Sequence, residues 1–190
     1  VYIELHISER KVFMRKESAE KTKRSRFTRM CMGDAFIALL QEKPYCKISV
    51  SDIVKRAGVS RMTYYHYYDT KEDVVRDYIG ELVAEYAAES ERTPGIGSLM
   101  DYQHILFSLK FFDRYDYFFV TLAKAGLNSM INDAVNIFMR QQYVSIYQGS
   151  PYELYFYAGA MVNIFLQWEQ NKKDVSPEKL AEIIVNFVGK

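Results

Sequence analysis

The sequence has few cysteines, histidines, prolines and glycines, and these shortages exclude several classes of protein. Its 190 residues include two cysteines, three histidines, four prolines and nine glycines. Two cysteines cannot form the disulfide framework of a small secreted protein. They do not form a CxxC pair, and the histidines are scattered, so we predict no metal site and no cofactor.

Signals for membranes, export and catalysis are missing as well. No apolar run reaches the roughly 18 residues of a membrane-spanning helix, so no membrane partner is expected. The first residues lack the continuous apolar segment of a signal peptide, which together with the sparse cysteines predicts a reducing, cytoplasmic location. The sequence contains neither a glycine-rich phosphate loop nor a serine nucleophile motif, and we therefore expect that the chain is not an enzyme.

The net charge of +1 conceals two parts of opposite sign. Residues 1–72 carry 15 basic and 9 acidic side chains, whereas residues 73–190 carry 10 basic and 15 acidic ones. The basic first part, which we call the front, is typical of a surface that binds nucleic acid. The acidic second part, the rear, is then expected to have another role. We interpret residues 1–20 as a basic N-terminal extension, and the alternative for this stretch is a solvated tail.

The spacing of apolar residues is helical along nearly the whole chain. Segments without proline or glycine repeat apolar residues every three or four positions, which predicts an all-α fold of nine helices and no strands. Serine, threonine and proline supply the start signals, and glycine supplies stop signals. The predicted helices are Thr22–Glu42, Val50–Ala57, Arg61–Tyr68, Lys71–Glu91, Leu99–Asp113, Tyr115–Lys124, Asn128–Tyr147, Pro151–Lys172 and Pro177–Val188.

Two short helices between residues 48 and 68 form the most informative pattern. They are joined at Gly58-Val59-Ser60, where Gly58 can close the first helix with a positive φ and Ser60 can cap the second. Two helices of about eight residues joined by so short a turn predict a helix-turn-helix.

The second of these helices offers side chains that suit DNA. Tyr64 and Tyr68 are four residues apart, and we expect them to pack inward, whereas the remaining aromatic side chains cannot all do so on so short a helix. Arginine reads guanine edges, threonine and methionine contact thymine methyl groups, and tyrosine hydroxyls suit phosphates. The expected DNA-facing set on this helix is Arg61, Met62, Thr63, Tyr65, His66 and Tyr67.

Residues 29–75 resemble the N-terminal DNA-binding domain of the TetR family of transcriptional regulators. The resemblance is carried by Ala57-Gly58-Val59-Ser60, by Thr63-Tyr64-Tyr65 and by Lys71-Glu72-Asp73-Val74. It implies a three-helix DNA-binding domain followed by a helical domain for dimerisation and ligand sensing. We assign residues 21–70 to the first and residues 71–190 to the second.

The resemblance also implies which residues contact DNA. Base and backbone contacts fall at Val50, Ser51, Arg61, Met62 and Thr63, and phosphate contacts fall at Tyr65, Tyr67 and Lys71. The family commonly has histidine at the position of Tyr67, whereas this chain has His66 one residue earlier. The resemblance further places Lys23, Arg24 and Arg26 near the DNA backbone.

The rear part is rich in aromatic residues. Seventeen of the chain's 29 aromatic residues lie between Leu99 and Trp168. Aromatic side chains lining a cleft between helices would form an apolar ligand pocket, and the alternative is a packed aromatic core. The pocket candidates are Phe111, Tyr115, Phe119, Tyr155 and Asn163. We interpret the lone His104 as a core or surface residue.

The last two predicted helices resemble the C-terminal end of the Firmicutes-type TetR regulators. This resemblance implies a four-helix interface between two copies, whereas the alternative is that the apolar stripe of the final helix packs inside one chain. The interface candidates are Ala158, Val162, Phe165, Leu180, Ile184 and Phe187.

The sequence therefore predicts a DNA-binding regulator. We expect a homodimer that represses transcription from an inverted-repeat operator in double-stranded DNA and is released by a small apolar or aromatic effector. The alternative is a DNA-binding adaptor whose C-terminal domain binds a protein partner instead of a small molecule.

Overall fold

The computed structural model describes residues 2–145 and 147–188, and it describes side chains from residue 22 onward. These ranges contain nine α-helices and no strand, as the sequence predicts, together with one 3₁₀ turn. In this part of the chain, no helix combines the length and apolar character needed to cross a bilayer. The helices are α1 (Tyr2–Glu42), α2 (Val50–Ala57), α3 (Arg61–Tyr67), α4 (Lys71–Arg92), α5 (Tyr102–Asp113), α6 (Asp116–Lys124), α7 (Asn128–Gln142), α8 (Pro151–Gln170) and α9 (Pro177–Val188).

The first helix is longer than the sequence predicts. It begins at Tyr2 rather than at Thr22, and no proline or glycine interrupts residues 2–32, so no local signal breaks the helix. The predicted basic extension, residues 1–20, has its side chains outside the described part. The 3₁₀ turn Tyr45–Lys47 was not predicted either.

Local contacts explain two of the shifted helix ends. The helix predicted from Leu99 begins at Tyr102, because the Asp101 carboxylate accepts a hydrogen bond of 2.7 Å from the Ser98 amide and forms a turn first. The helix predicted to reach Lys172 ends at Gln170, and both Lys172 and Lys173 have positive φ. α7 ends at Gln142, before the predicted end at Tyr147.

Helix α4 joins the front of the molecule to the rear. It packs against α1 in the front and against α5 and α7 in the rear. Its inner side chains Val75, Ile79 and Leu82 are buried in one continuous apolar core that includes Phe36 of α1 and Leu109 of α5. The two parts of the chain therefore share a core, and movement of α4 in either part is felt in the other.

The helices α1 and α4 approach each other closely at Gly33. A Cβ atom at this position would overlap the Tyr78 ring of α4. Tyr78 is held in place, because its hydroxyl donates a 2.8 Å hydrogen bond to Asp34 and its ring stacks on Phe118 of α6 at 4.6 Å. Glycine at position 33 thus sets the distance between the two helices.

We predict that Gly33→Ala destabilises the fold by about 1–3 kcal/mol, because the added methyl group overpacks the contact with Tyr78. The matched control is Gly80→Ala on α4, where a Cβ atom meets no atom within 4 Å. That change should leave stability equal or raise it by up to about 1 kcal/mol through helix propensity. Urea unfolding of both variants measures the difference, and equal stability of the two variants would contradict this account of Gly33.

Candidate nucleic-acid interface and ligand cavity

The turn between α2 and α3 is fixed by local capping. Ser49 and Asp52 form a reciprocal capping box at the start of α2, and Gly58 ends the helix with a φ of 68°. The Lys43 ammonium lies 2.7 Å from the Asp52 carboxylate. Hydrogen bonds from Lys43 and Ser49 hold the pKa of Asp52 below its usual value. This end of α2 is therefore set by residues within ten positions of one another.

The inner face of α3 packs as the sequence predicts. The Ser60 hydroxyl accepts a 2.9 Å hydrogen bond from the Thr63 amide and caps the helix. Tyr64 is fully buried, and its hydroxyl donates to the Thr70 carbonyl at 2.9 Å. Burial raises the pKa of Tyr64 to about 12. The buried Tyr68 donates to the Asp77 carboxylate of α4 at 2.6 Å, so α3 is tied directly to α4.

The outer face of α3 is open to solvent. Met62 is 84% exposed and Tyr65 is 58% exposed, high values for large apolar or aromatic side chains. Arg61 and His66 are also exposed, whereas Thr63 and Tyr67 are half-buried. The Arg61 guanidinium donates a hydrogen bond to the hydroxyl of the exposed Ser51 at the start of α2, next to the half-buried Val50.

Lys71 contacts the 3₁₀ turn before α2. Its ammonium donates hydrogen bonds to the carbonyl oxygens of Tyr45 (2.9 Å) and Ile48 (3.2 Å), and it lies 3.9 Å from the centre of the Tyr45 ring. In this structure Lys71 therefore stabilises the 3₁₀ turn before α2, and the phosphate contact that the resemblance implies stays a prediction. Sequence reasoning missed Tyr45, because a three-residue turn has no periodic pattern.

Arg26 forms ion pairs with helix α4. It bonds to Glu81 (2.6 Å) and Glu85 (3.5 Å) of α4, and the hydrogen bond to Glu81 raises its pKa. One turn further along α1, Arg29 bonds to Asp77 and, at 2.6 Å, to Glu81. We call these five residues the α1–α4 ion ladder.

The rear part contains an apolar cavity of about 70 Å³ between α4, α5, α7 and α8. Carbon atoms form almost all of its wall. Of the five sequence candidates for a pocket, only Phe119 lines it. The lining residues are Val83, Tyr86, Leu99, Ser108, Leu109, Phe112, Phe119, Ile131, Val135, Phe138, Met139, Tyr157, Ala158, Met161, Val162, Phe165 and Leu166.

The other four candidates lie outside this cavity. Phe111 is buried against the Arg114 guanidinium, 4.4 Å from it. Tyr115 donates a 2.7 Å hydrogen bond to Glu85. Tyr155 lies in an outer groove between α4 and α7, and Asn163 is exposed. Phe119 is therefore the one residue of the sequence-based pocket set that lines this cavity.

Three buried polar side chains lie at one edge of the cavity. The Tyr86 hydroxyl lies 2.8 Å from both His104 Nε2 and Ser108 Oγ, and Ser108 also donates to the His104 carbonyl at 2.8 Å. Burial lowers the pKa of His104 and raises the pKa of Tyr86. We call Tyr86, His104 and Ser108 the polar triad. The interpretation of His104 as a core or surface residue is now settled, since it is buried.

Most of the predicted interface residues are buried within one chain. Ala158, Phe165, Leu180 and Ile184 are buried in the core, and Val162 lines the cavity. Leu180 and Ile184 belong to the face of α9 that packs on α5. Phe187 alone is largely exposed, at 69%. The apolar side chains that α8 and α9 leave exposed are Tyr152, Phe156, Ile183 and Phe187.

One cluster of three carboxylates within the described residues could hold a cation. Asp113, Asp116 and Glu169 each place an oxygen within 4.8 Å of the others. The Lys173 ammonium already lies among them, 3.0 Å from Asp116 and 3.5 Å from Glu169. Burial raises the pKa of Glu169 to about 7. We interpret the group as an ion network that anchors the turn after α8.

Comparisons with known proteins point to one family. Residues 34–78 match the family described as bacterial regulatory proteins, tetR family. The transcriptional regulator EthR of Mycolicibacterium smegmatis is 44% identical over 45 residues, which are 24% of this chain and 21% of that protein. DhaS of Lactococcus lactis, described as an operon transcriptional activator, is 38% identical over 53 residues, which are 28% of each chain.

These matches span only about a quarter of the curated relatives. The fold is similar over a longer range. A TetR transcriptional regulator from Streptococcus agalactiae superposes with a TM-score of 0.57 at 21% identity, covering 90% of this chain and 98% of that one. The short matches concern the front of the molecule, and the structural similarity concerns its whole architecture.

We predict that Lys71→Met lowers the free energy of unfolding by about 1 kcal/mol, because it removes the hydrogen bonds to two carbonyl groups of the 3₁₀ turn. The matched control is Lys55→Met at an exposed position of α2. Thermal or urea unfolding without DNA measures both variants. Equal stability would show that the inward position of Lys71 contributes nothing to the fold.

Proposed function

We propose that this chain, a TetR-family protein by its N-terminal domain and its all-helical fold, regulates transcription by binding an inverted-repeat operator as a homodimer. In this proposal an apolar effector in the rear cavity releases the DNA, so that the chain acts as a repressor. The observation that carries the proposal is the exposed outer face of α3, with Met62 and Tyr65 beside the Arg61–Ser51 pair.

The shape of α3 supports insertion into a major groove. Its seven residues span roughly 10 Å at about 1.5 Å per residue, and the major groove is about 12 Å wide. Arg61 at its start suits a guanine edge, and Met62 suits a thymine methyl group. Tyr65 presents a hydroxyl that suits a phosphate. The hydrogen bond to Ser51 joins Arg61 to the start of α2.

The exposed faces of α8 and α9 support dimerisation. Tyr152 and Phe156 share a face of α8, and Ile183 and Phe187 share a face of α9. Large apolar side chains exposed in pairs on one helix face are typical of an interface. The proposed interface therefore keeps Phe187 from the sequence-based set. Tyr152, Phe156 and Ile183 replace the other five residues of that set, which are buried or line the cavity.

Helix α4 supports a link between the cavity and the DNA. Val83 and Tyr86 of α4 line the cavity, and Asp77 of the same helix holds Tyr68 at the end of α3. A dimer must place its two recognition helices about 34–36 Å apart to occupy successive major grooves. A ligand that tilts α4 would change this separation and lower the affinity for the operator.

A second candidate is a DNA-binding activator or adaptor whose rear domain binds a protein. The observation in its favour is the relative DhaS, whose name describes an activator. The outer groove between α4 and α7, lined by Arg76, Met130 and Tyr155 among others, would be the surface for such a partner. Operator affinity that responds to a small apolar molecule favours the first candidate, and affinity that responds only to a protein favours the second.

We predict that Tyr65→Ala weakens binding to every duplex, whereas Arg61→Ala mainly relaxes the preference at one base pair. A phosphate contact carries no sequence information, but an arginine on a guanine edge contributes about 1–3 kcal/mol of discrimination. Selection from random duplexes identifies the operator, and titrations at several salt concentrations measure the affinities.

The matched controls for these variants are Tyr117→Ala and Arg140→Ala, which change exposed residues of the rear part. Neither control should alter the affinity. If the wild-type chain bound no duplex at low salt, or if Tyr65→Ala and Tyr117→Ala had the same effect, the proposed interface would be wrong.

We predict that Phe187→Glu converts a dimer into a monomer, because it places a charge in the proposed apolar interface. The control is Phe27→Glu, since Phe27 is 71% exposed on α1, close to the 69% of Phe187. Sedimentation equilibrium measures the mass of each variant against the 22.3 kDa chain. A monomeric wild type, or a dimer that survives Phe187→Glu unchanged, contradicts this interface.

A further inference from the structure

The cavity has a distinctive distribution of polar atoms. Among its seventeen lining residues, only Tyr86, Tyr157 and Ser108 carry a side-chain hydroxyl, and no charged side chain is present. The proton of the Tyr157 hydroxyl is already used, because it donates a 2.8 Å hydrogen bond to the Leu99 carbonyl. Ser108 and Tyr86, whose hydroxyl oxygens lie 2.8 Å apart, therefore form the one place where two hydroxyl groups meet in a wall whose other side chains, Tyr157 apart, are apolar.

We infer that this cavity selects an uncharged, mostly apolar molecule whose one hydrogen-bond donor, a hydroxyl or N–H group, is received by Ser108 with Tyr86 beside it. This inference rests on the proposed function, because it names the chemical class of the effector for the same cavity. It also assigns a role to the polar triad.

The protons of the polar triad determine whether Ser108 can donate to a ligand or accept from it. If His104 carries its proton on Nε2, it donates to Tyr86, Tyr86 donates to Ser108, and Ser108 donates to the His104 carbonyl. If the proton is on Nδ1, which lies 3.4 Å from the Gly97 carbonyl, Tyr86 donates to Nε2, and Ser108 donates to the Tyr86 oxygen instead of to the His104 carbonyl. Both tautomers use every proton and leave a lone pair on Ser108 Oγ. Ser108 Oγ can therefore accept a hydrogen bond from a ligand but has no proton left to donate.

The same wall disfavours ions. A buried carboxylate or ammonium group loses several kcal/mol of hydration unless a counter-charge or several hydrogen bonds replace it. His104 lies behind Tyr86, and its lowered pKa keeps it neutral near pH 7, so it supplies no positive charge. An anionic ligand therefore has no partner in the cavity, whereas a neutral alcohol, phenol or amide does.

The position of the polar triad connects the binding of a ligand in the cavity to the proposed DNA-binding end of the molecule. Tyr86 belongs to α4, and His104 and Ser108 belong to α5. The cavity of about 70 Å³ is smaller than the roughly 150 Å³ that accommodate a benzene ring. A ring-sized ligand must therefore push aside adaptable side chains such as Met139 and Met161, and α4 is part of the wall that it presses against.

Phenol, toluene and benzoate test the inference, because phenol and toluene have nearly the same shape and differ in the hydroxyl group. Dissociation constants of the full chain are measured by NMR titration at pH 7. We expect phenol to bind about fivefold to tenfold more tightly than toluene, as one buried hydrogen bond allows, and benzoate to bind most weakly.

Three variants locate the effect. Ser108→Ala should remove most of the preference for phenol over toluene, whereas Ser129→Ala, at an exposed position of α7, should keep it. Val162→Phe should fill the cavity and abolish the binding of both molecules. Circular dichroism melting confirms that each variant is folded, and Tyr86→Phe serves as the second triad variant if Ser108→Ala does not fold.

The outcomes separate this inference from the proposed function. Equal binding of phenol and toluene, tighter binding of benzoate, or phenol binding that survives Val162→Phe overturns the inference, even if the chain binds its operator. A phenol preference that depends on Ser108 supports it. If phenol then leaves operator affinity unchanged, the selectivity of the cavity stands and the ligand-release part of the proposed function falls.

Discussion

The paired contact of Arg29 with Asp77 and Glu81 holds α4 against α1, and both parts of the molecule are built on these two helices. Partly exposed ion pairs contribute only about 0–1 kcal/mol each, so the α1–α4 ion ladder adds modestly to stability. Its geometric effect is larger, since Gly33 allows the close approach and the ladder fixes the register along it. The contrast between a basic front and an acidic rear is partly explained by this internal pairing rather than by attraction to DNA.

Helix α4 has two tyrosine contacts that give it its mechanical position. At one end Asp77 receives the hydroxyl of Tyr68, the residue that follows the recognition helix, and near the other end Tyr86 enters the polar triad. A rigid helix that touches both places can transmit a displacement of one to the other. Because the wall of the cavity is close-packed, even a small ligand must move side chains that α4 contacts.

Sequence reasoning located the inner and outer faces of α3, but it did not identify the intramolecular partners of cationic side chains that bond at long range. The capping residues and the buried Tyr64 were predictable, because their partners lie within about ten positions. Lys71 and Arg26 were placed toward DNA by resemblance, yet their nearest partners are the Tyr45 carbonyl, 26 positions away, and Glu81, 55 positions away. A charge near a DNA-binding helix does not reveal whether a closer acceptor exists in the fold.

The sequence by itself determined most of the helices, the helix-turn-helix and the resemblance of its front part to TetR regulators, because capping, periodicity and the turn motif depend on residues that are close together in the chain. Only the tertiary structure decided which faces of α8 and α9 are free and which aromatic residues surround the cavity. Helix α8 is apolar on nearly all sides, so its sequence cannot distinguish the face against α6 and α7 from the face with Phe156. The polar triad joins α4 to α5, and its recognition required knowing how those two helices lie side by side.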